Sequence, residues 1–223
     1  DGQLTERDAL TAYRERIAGD IQLKRPLKVV ADCGNGIGGV CATEVLQAIG
    51  AEVIPLFEEV DGDFPNHHPD PTVPENLEHL IDTVVKNSYE AGIAFDGDAD
   101  RLIAVDENGV VANGDVLMAV FAKHLKDTGK LRNNTVVSTV MANLGFRRSM
   151  ESMGIRVEET AVGDRYVYER MRQVKAALGG EQSGHIIFYR GNTGDGLRTA
   201  VRLAEVLAAT GQPLSELRKV ITE

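Results

Sequence analysis

The regular alternation of strand-like runs with helical patterns constrains this chain more than any other feature. Strand-like runs occupy residues 27–31, 51–57, 92–95, 135–140, 155–160 and 176–180, and helical patterns lie between most of them. Strands separated by helices of about 10–15 residues form βαβ units, in which the strands pair in parallel and helices cover the sheet. The sequence therefore predicts the α/β class, as two consecutive three-layer α/β domains with mainly parallel or mixed sheets.

An uneven distribution of charge places the boundary between these domains near residue 105. Residues 1–105 hold 8 Lys and Arg against 20 Asp and Glu, whereas residues 106–223 hold 16 against 14. Such a change in charge supports a change of domain, so we expect domains at 1–105 and 106–223. The acidic first domain would repel nucleic acid and anionic membranes, and we expect neither as a partner.

The composition also gives expectations about the compartment. Hydrophobic residues make up 43% of the chain, which is normal for a protein with a hydrophobic core. The start of the sequence shows no basic and then apolar segment of the kind that directs secretion. No apolar run approaches the roughly 20 residues that cross a bilayer. The two cysteines, Cys33 and Cys41, form no CxxC motif, so we expect free thiols in a reducing compartment. The expected location is the cytoplasm.

Three carboxylates alternate in the segment DGDADR, which follows the apolar run GIAF directly. Alternation along an extended backbone puts Asp96, Asp98 and Asp100 on one side, and the small residues between them let the carboxylates converge. Clustered carboxylates repel one another unless a cation neutralises them, and all-oxygen ligands select a hard ion, Mg²⁺ or Ca²⁺. The loop also follows a buried strand, at the sheet edge where open α/β sheets bind ligands.

Other interpretations of this aspartate loop (residues 96–101) are an EF-hand, a phosphatase loop and an acidic surface turn. An EF-hand would place Glu107 at position twelve, but it needs Gly at position six, where Arg101 stands, and it needs flanking helices. A haloacid-dehalogenase-type phosphatase also has an Asp-x-Asp pair after an apolar strand, with the first Asp as nucleophile. The third Asp and the Arg are unusual there, so this remains a weaker alternative.

A second chemically suggestive segment is GEQSGH, at residues 180–185. Its two glycines let the backbone approach a ligand closely, while Glu181, Ser183 and His185 offer an acceptor, a hydroxyl and a titratable group. A single histidine at a loop end is more often structural than catalytic, so this segment gains its significance from the aspartate loop.

The two loops together resemble the α-D-phosphohexomutase superfamily, whose metal loop is usually written DGDGDR. The resemblance implies that Asp96, Asp98 and Asp100 hold Mg²⁺ and that Arg101 contacts a phosphorylated serine. The segment GEQSGH resembles the sugar-recognition loop of the same superfamily. That likeness implies that Glu181 and Ser183 bind sugar hydroxyls and that His185 is a candidate general acid or base.

The turn AVGDRYV, at residues 161–167, resembles a third active-site segment and adds Asp164 and Arg165 as candidate substrate-binding residues. A structural role is an equal alternative, since an acidic residue is favourable at a helix N-terminus. The form VGDRYV, with GGEQSGH and TGDG, is closest to phosphoglucosamine mutases. The segments LKVVADCGNGIGGV and EVDGDFPNHHPDP instead resemble phosphomannomutase/phosphoglucomutase, which leaves two explanations: a chimaeric or designed chain, or an unusual family member.

His67 and His68, in that second segment, could suggest a metal site, but no third ligand lies at a suitable spacing. We expect them to order the Pro-rich loop instead.

The resemblance covers two of the four domains that such mutases have. The first mutase domain carries the phosphoserine in a Ser-His-Asn/Arg-Pro segment and the last carries a Ser-Gly-Thr phosphate loop, and neither string occurs here. We therefore expect a two-domain portion of a magnesium-dependent phosphohexomutase that acts on a hexose or hexosamine phosphate. Its partners would be the first and last mutase domains, and without the serine we expect it to be inactive alone. The alternatives are a stand-alone or engineered sugar-phosphate and metal-binding module, or a haloacid-dehalogenase-like phosphatase.

Overall fold

A mixed sheet organises the first half of the chain. The structure is a computed structural model that describes residues 2–19, 21–189 and 191–221. Within them, the first sheet has the order β2-β1-β3-β4-β5. Its strands are β1 (Leu27–Asp32), β2 (Ala51–Leu56), β3 (Ala91–Phe95), β4 (Leu102–Asp106) and β5 (Val111–Ala112). Strand β1 pairs in parallel with β2 and β3, whereas β4 is antiparallel to both β3 and β5.

Helices cover both faces of this sheet. They are α1 (Ala9–Ala18), α2 (Ala42–Ala48) and α3 (Glu78–Asn87). Helix α3 follows a 3₁₀ turn that opens with Pro74, and its buried residues Leu80 and Val84 join a small apolar cluster on one face. Helices α1 and α2 pack against each other and contribute to the larger apolar cluster on the opposite face.

The second half repeats the plan with a smaller sheet of order β7-β6-β8-β9. Its strands are β6 (Thr135–Thr139), β7 (Arg156–Thr160), β8 (Leu178–Gly180) and β9 (Ile186–Phe188), of which β9 alone is antiparallel to its neighbour. The accompanying helices are α4 (Gly114–Asp127), α5 (Leu144–Ser152), α6 (Asp164–Val174), α7 (Gly196–Thr210) and α8 (Leu214–Leu217). The predicted α/β class with mixed sheets is thus confirmed.

The two halves share one core. Helix α7 comes from the second half of the sequence but packs on β1, β3 and β4 of the first sheet. The larger apolar cluster includes side chains from both halves, among them Leu27 and Val136. The predicted domain boundary lies at residue 105, but the last strand of the first sheet ends at Ala112. We therefore propose that the first domain extends to Ala112.

Several elements were not predicted. Helix α1 has a weakly amphipathic sequence, ALTAYRERIA, and depends on Asp8, whose side chain accepts hydrogen bonds from the amides of Leu10 and Thr11 at the helix start. Strands β4 and β9 are antiparallel returns after tight loops, which a search for βαβ units does not anticipate. Cys33 and Cys41 are both buried and are not joined to each other by a disulfide. None of the helices in the described part of the chain is both long and apolar enough to span a bilayer.

The shared core predicts how the protein unfolds. Leu203 on α7 is fully buried in the common cluster, so Leu203→Ala should lower the free energy of unfolding by about 2–5 kcal/mol, as for other large-to-small core substitutions. Because both halves contribute to the cluster, chemical denaturation followed by circular dichroism should still give one transition. Leu4 is 95% exposed, and Leu4→Ala is the matched control, expected to change stability by less than about 0.5 kcal/mol. Two separate transitions in the wild-type chain would contradict the shared core.

Candidate functional site

The aspartate loop follows β3, which lies between β1 and β4 in the first sheet. Asp96 is buried directly after the strand, where both its carboxylate oxygens accept hydrogen bonds from Arg101. The backbone amide of Arg101 donates to Oδ1 at 3.0 Å and its guanidinium Nε donates to Oδ2 at 2.6 Å. Burial opposes the charge of the guanidinium, but the hydrogen bond and charge of Asp96 outweigh it and raise the pKa of Arg101. The loop is thereby closed on itself and presents Asp98 and Asp100 outward.

The three carboxylates converge as the sequence predicted. Asp96, Asp98 and Asp100 each offer one oxygen atom, and these atoms lie within 4.8 Å of one another. A carboxylate has about four lone-pair sites, so Asp96 can accept from Arg101 and still ligate a cation. A cluster of oxygen donors only, carrying three negative charges, fits a hard divalent cation.

Ala99 adopts a left-handed backbone conformation within this loop, with φ 58°. A side chain in this region costs roughly 1–2 kcal/mol, and glycine avoids the cost. This explains why the motif that the loop resembles has glycine at this place, and the methyl group of Ala99 packs on the larger apolar cluster instead.

The second loop is a tight turn between β8 and β9 that pairs with the start of β4. The amide of Leu102 donates to the carbonyl of Gly184 at 3.1 Å, and Arg101 forms an isolated antiparallel bridge with His185. Gly184 has φ 95°, and a Cβ there would overlap the backbone of Leu102. The close approach therefore requires glycine, and it brings Nε2 of His185 to 3.5 Å from a carboxylate oxygen of Asp100.

His185 is buried with unused hydrogen-bonding capacity. Its side chain is 6% exposed, and neither ring nitrogen makes a hydrogen bond to a described group. Gly194 lies directly against the imidazole, where a Cβ would overlap the ring. A buried ring nitrogen without a hydrogen bond calls for a specific explanation, and a ligand-binding or catalytic role is one such explanation.

The segment after β9 fastens both loops together. The amide of Gly196 donates to the carbonyl of Ala99 at 3.0 Å. Asp195 caps α7 by accepting from the amide of Arg198 at 2.8 Å, and it also accepts from the hydroxyl of Tyr13 at 2.9 Å. Asp195 is therefore the N-cap of this helix. Tyr13 gave no signal in the sequence, since its partner lies 182 residues away.

Glu181 joins the third predicted turn to this group. Its Oε1 accepts a hydrogen bond from the amide of Gly163 at 3.0 Å, which places the start of α6 beside the second loop. The side chains of Asp164 and Arg165 are exposed there. Arg165 Nε lies 2.8 Å from Glu169 Oε1, and Asp164 accepts from the amide of Arg165 at 2.6 Å. The roles of Asp164 and Arg165 in binding stay predictions.

Ser183 faces a cleft between the two halves. The cleft has a volume of about 480 Å³ and is also lined by Arg101, Thr72, Asn113 and Gln182. Arg101 thus contacts the aspartate loop and the cleft at once. A small polar molecule in this cleft would meet a guanidinium and a hydroxyl from the two predicted loops.

Asp32 and His67 hold the neighbouring segment in place, and the sequence predicted only part of this. His67 Nε2 lies 3.1 and 3.2 Å from the two carboxylate oxygens of the buried Asp32. The carbonyl of Pro69 accepts from the amide of Gly97 at 3.1 Å, and Asp70 Oδ1 lies 3.8 Å from Arg101 Nη1. His67 therefore orders the Pro-rich loop, as expected, and that loop supports the aspartate loop from outside.

Comparison with known proteins places both halves in one family. The model of phosphoglucomutase/phosphomannomutase alpha/beta/alpha domain II matches residues 11–109, and that of domain III matches residues 113–223. The phosphoglucosamine mutase of Desulforamulus reducens is 50% identical over 192 residues, which is 86% of this chain and 43% of that protein. That of Clostridium kluyveri is 49% identical over 216 residues, which is 96% of this chain and 47% of that protein.

A solved structure agrees with these matches. The phosphoglucomutase/phosphomannomutase family protein of Burkholderia thailandensis superposes with a TM-score of 0.92 at 37% identity, over 100% of this chain and 48% of that one. The chain spans about half the length of the curated relatives it matches. The likeness to phosphoglucosamine mutases extends over both halves and is not confined to the second.

The Asp32–His67 pair predicts a pH dependence of stability. The hydrogen bond that His67 donates to Asp32 raises the pKa of His67 above its ordinary value of 6.5, although burial opposes this. A raised folded-state pKa stabilises the fold below the unfolded-state pKa, and this contribution disappears as the pH rises through the folded-state value. The difference in free energy of unfolding between wild type and His67→Gln should therefore be largest near about pH 6 and shrink toward about pH 9. Urea denaturation across this range measures it, and a difference independent of pH would contradict the ion pair.

Proposed function

Because the chain belongs to the phosphoglucomutase/phosphomannomutase family and carries its domains II and III, we propose that it supplies the metal and sugar contacts of a magnesium-dependent phosphohexomutase. The observation that carries this proposal is the junction of Arg101 and His185, which sets the aspartate loop against the loop of Glu181 and Ser183. One reacting phosphosugar can contact both loops only if they are neighbours.

The proposed substrate is a hexosamine phosphate. The relatives that match most of the chain are named phosphoglucosamine mutases, and glucosamine phosphate carries hydroxyl and amino groups that suit a carboxylate and a serine hydroxyl. Glu181 uses Oε1 to hold the amide of Gly163, so its Oε2 is the oxygen we assign to the sugar. Ser183 faces the cleft and would bind a second sugar hydroxyl.

The proposed reaction moves a phosphoryl group between an enzyme serine and the sugar through a bisphosphate intermediate. The serine belongs to a segment outside this chain. Arg101, held by Asp96, offers the remaining guanidinium N–H groups to phosphoryl oxygens and offsets their charge. We assign to His185 the transfer of a proton from an attacking sugar hydroxyl, or its return, because neither ring nitrogen makes a hydrogen bond within the described residues and Nε2 lies near Asp100.

We assign Asp96, Asp98 and Asp100 as the ligands of Mg²⁺. The ion supplies positive charge that offsets the negative charge of the transferring phosphoryl group when it is bound. Asp98 is exposed and Asp100 is half-buried, so both are accessible to an ion, while the buried Asp96 anchors the loop through its hydrogen bonds with Arg101.

The alternative functions use the same residues differently. A phosphatase would use Asp96 as the nucleophile, but here one hydrogen bond from Arg101 to each carboxylate oxygen fixes Asp96 in place, which favours a positioning role. A stand-alone binding module needs no further domain and remains the second candidate. Release of inorganic phosphate from a sugar phosphate would indicate the phosphatase. The isolated chain should give no mutase turnover, even with a sugar bisphosphate, and measurable turnover would contradict both the mutase portion and the binding module.

The metal assignment is tested by Asp98→Asn. Asp98 is exposed, so the substitution should leave the fold unchanged while removing one of three ligand charges. We expect Mg²⁺ affinity, measured by isothermal titration calorimetry, to fall by about tenfold or more. Asp63 is also exposed and outside the loop, and Asp63→Asn is the matched control with wild-type affinity expected. Equal Mg²⁺ affinities in the two variants would contradict the assignment of the aspartate loop as the metal site.

The sugar assignment is tested by titrating glucosamine 6-phosphate into the isolated chain. The charge-assisted contacts of the missing phosphate-binding domain are absent, so we expect a dissociation constant of about 1 mM or weaker. Amide chemical shifts should change most at residues 180–185, and Glu181→Ala should reduce these changes. Glu151 is exposed on α5, and Glu151→Ala serves as a charge-matched control. Shifts elsewhere, or shifts insensitive to Glu181→Ala, would show that the second loop is only a turn.

A further inference from the structure

A second cleft lies at the opposite edge of the second sheet from Glu181. Strand β9 runs antiparallel to β8, so its end at Phe188 lies beside the start of β8 at Leu178, whereas Glu181 follows the end of β8. The cleft there has a volume of about 610 Å³ and lies between the end of α4, one face of α7 and the end of β9. This volume is typical of clefts that hold small organic ligands.

The walls of this cleft are basic although the chain as a whole is acidic. Arg198 and Arg202 stand one turn apart on α7, and Lys130 and Arg132 come from the segment between α4 and β6. The one carboxylate among the lining residues, Glu205, is paired with Arg202 at 2.7 Å. Within the described part of the chain, no carboxylate lies in salt-bridge distance of Lys130 or Arg132.

The charge of this cleft is opposite to that of the whole chain, whose formal net charge is −10. Lys130 and Arg132, which have no carboxylate within salt-bridge distance in the described part of the chain, repel each other, and an anionic ligand relieves that repulsion. The arginines are also held in place, since Arg198 Nη2 donates to the carbonyl of Tyr189 at 3.1 Å. A guanidinium that is already positioned loses less freedom when it binds a phosphate.

The floor of the cleft is aromatic. Phe121 and Phe188 meet edge to face with their ring centroids 5.1 Å apart. Tyr189 is half exposed at the rim, and the guanidinium of Arg132 stacks over its ring at 4.1 Å. Aromatic surface beside guanidinium groups favours a ligand with a flat ring as well as an anionic group.

The basic surface continues into an adjoining cavity of about 260 Å³. It shares Arg132, Phe188 and Tyr189 with the larger cleft and adds Arg172 and Lys175. The two cavities together offer room for a group at each side of Tyr189. The positive charge around Phe188 and Tyr189 therefore extends beyond the larger cleft.

From these features we propose that the cleft of Lys130, Arg132, Arg198 and Arg202 is a binding site for an organic phosphate that carries a planar ring, of the nucleoside diphosphate class. The phosphates lie on the arginines and Lys130, and the ring lies on Tyr189 and Phe188. The site is separate from the aspartate and sugar loops and does not depend on the proposed mutase function.

The test uses adenosine 5′-diphosphate as the probe, in buffer without Mg²⁺ so that no metal–phosphate complex can occupy the aspartate loop. Saturable binding is expected with a dissociation constant of about 1 mM or tighter. Amide shifts should change at residues 130–132, 177–178, 188–189 and 198–202 and stay unchanged at 96–101 and 181–185. Adenosine and inorganic phosphate should each bind at least about tenfold more weakly, since each lacks one part of the contact.

Charge reversals at two cleft residues, with one control elsewhere, decide the assignment. Arg132→Glu should weaken binding by at least about tenfold, whereas Arg148→Glu, at an exposed position on α5, should leave it unchanged. Lys130→Glu is the second variant, should Arg132→Glu change the circular dichroism spectrum. Non-saturable binding, shifts at the aspartate loop, or equal loss in Arg148→Glu would overturn the proposal.

Discussion

The backbone pairing of Arg101 and Leu102 with Gly184 and His185 is the contact on which the candidate site depends. It connects the edge of one sheet to a turn of the other, and its members are themselves the ends of the two functional loops. A displacement of either sheet would therefore move the carboxylates of the first loop relative to the imidazole of the second. Because α7 also packs across the first sheet, the core and the site share the same constraint.

Buried charge is the main cost of this arrangement, and it is offset locally. Asp96 and Asp32 both end central strands and are both almost fully buried. Each meets one cationic or titratable partner, Arg101 or His67, through two oxygen atoms. Breaking such a pair leaves an uncompensated buried charge, which costs far more than the pair contributes. The two pairs therefore fix the loops around them more firmly than their number of contacts would imply.

The sequence predicted the parts of the fold that depend on local pattern. Strands β1, β3 and β6 and helices α4 and α7 follow from apolar periodicity and capping residues, and the aspartate loop follows from its alternation. What it did not predict depends on distant partners. Tyr13 acquires its role only when α7 brings Asp195 to it, and His185 only when β4 pairs with Gly184. Helix α1 was missed for the same reason, since packing on α2 and α7 stabilises it more than its own sequence does.

The antiparallel strand β9 has consequences at both edges of the second sheet. A fully parallel sheet would send the chain from each strand end into a helix, and the residues after β8 would lead away from the site. Instead the tight turn at Gly184 returns the chain at once, so one short strand has its start against Asp100 and its end among the cations of α7. His185 faces an acidic loop at one end, and Phe188 and Tyr189 form the floor and rim of a basic cleft at the other. The reversal of chain direction at Gly184 places His185 beside the acidic aspartate loop of the first half. It places Phe188 and Tyr189 at the other end of the strand, beside the cations of the basic cleft. The two ends of the second sheet therefore differ in charge.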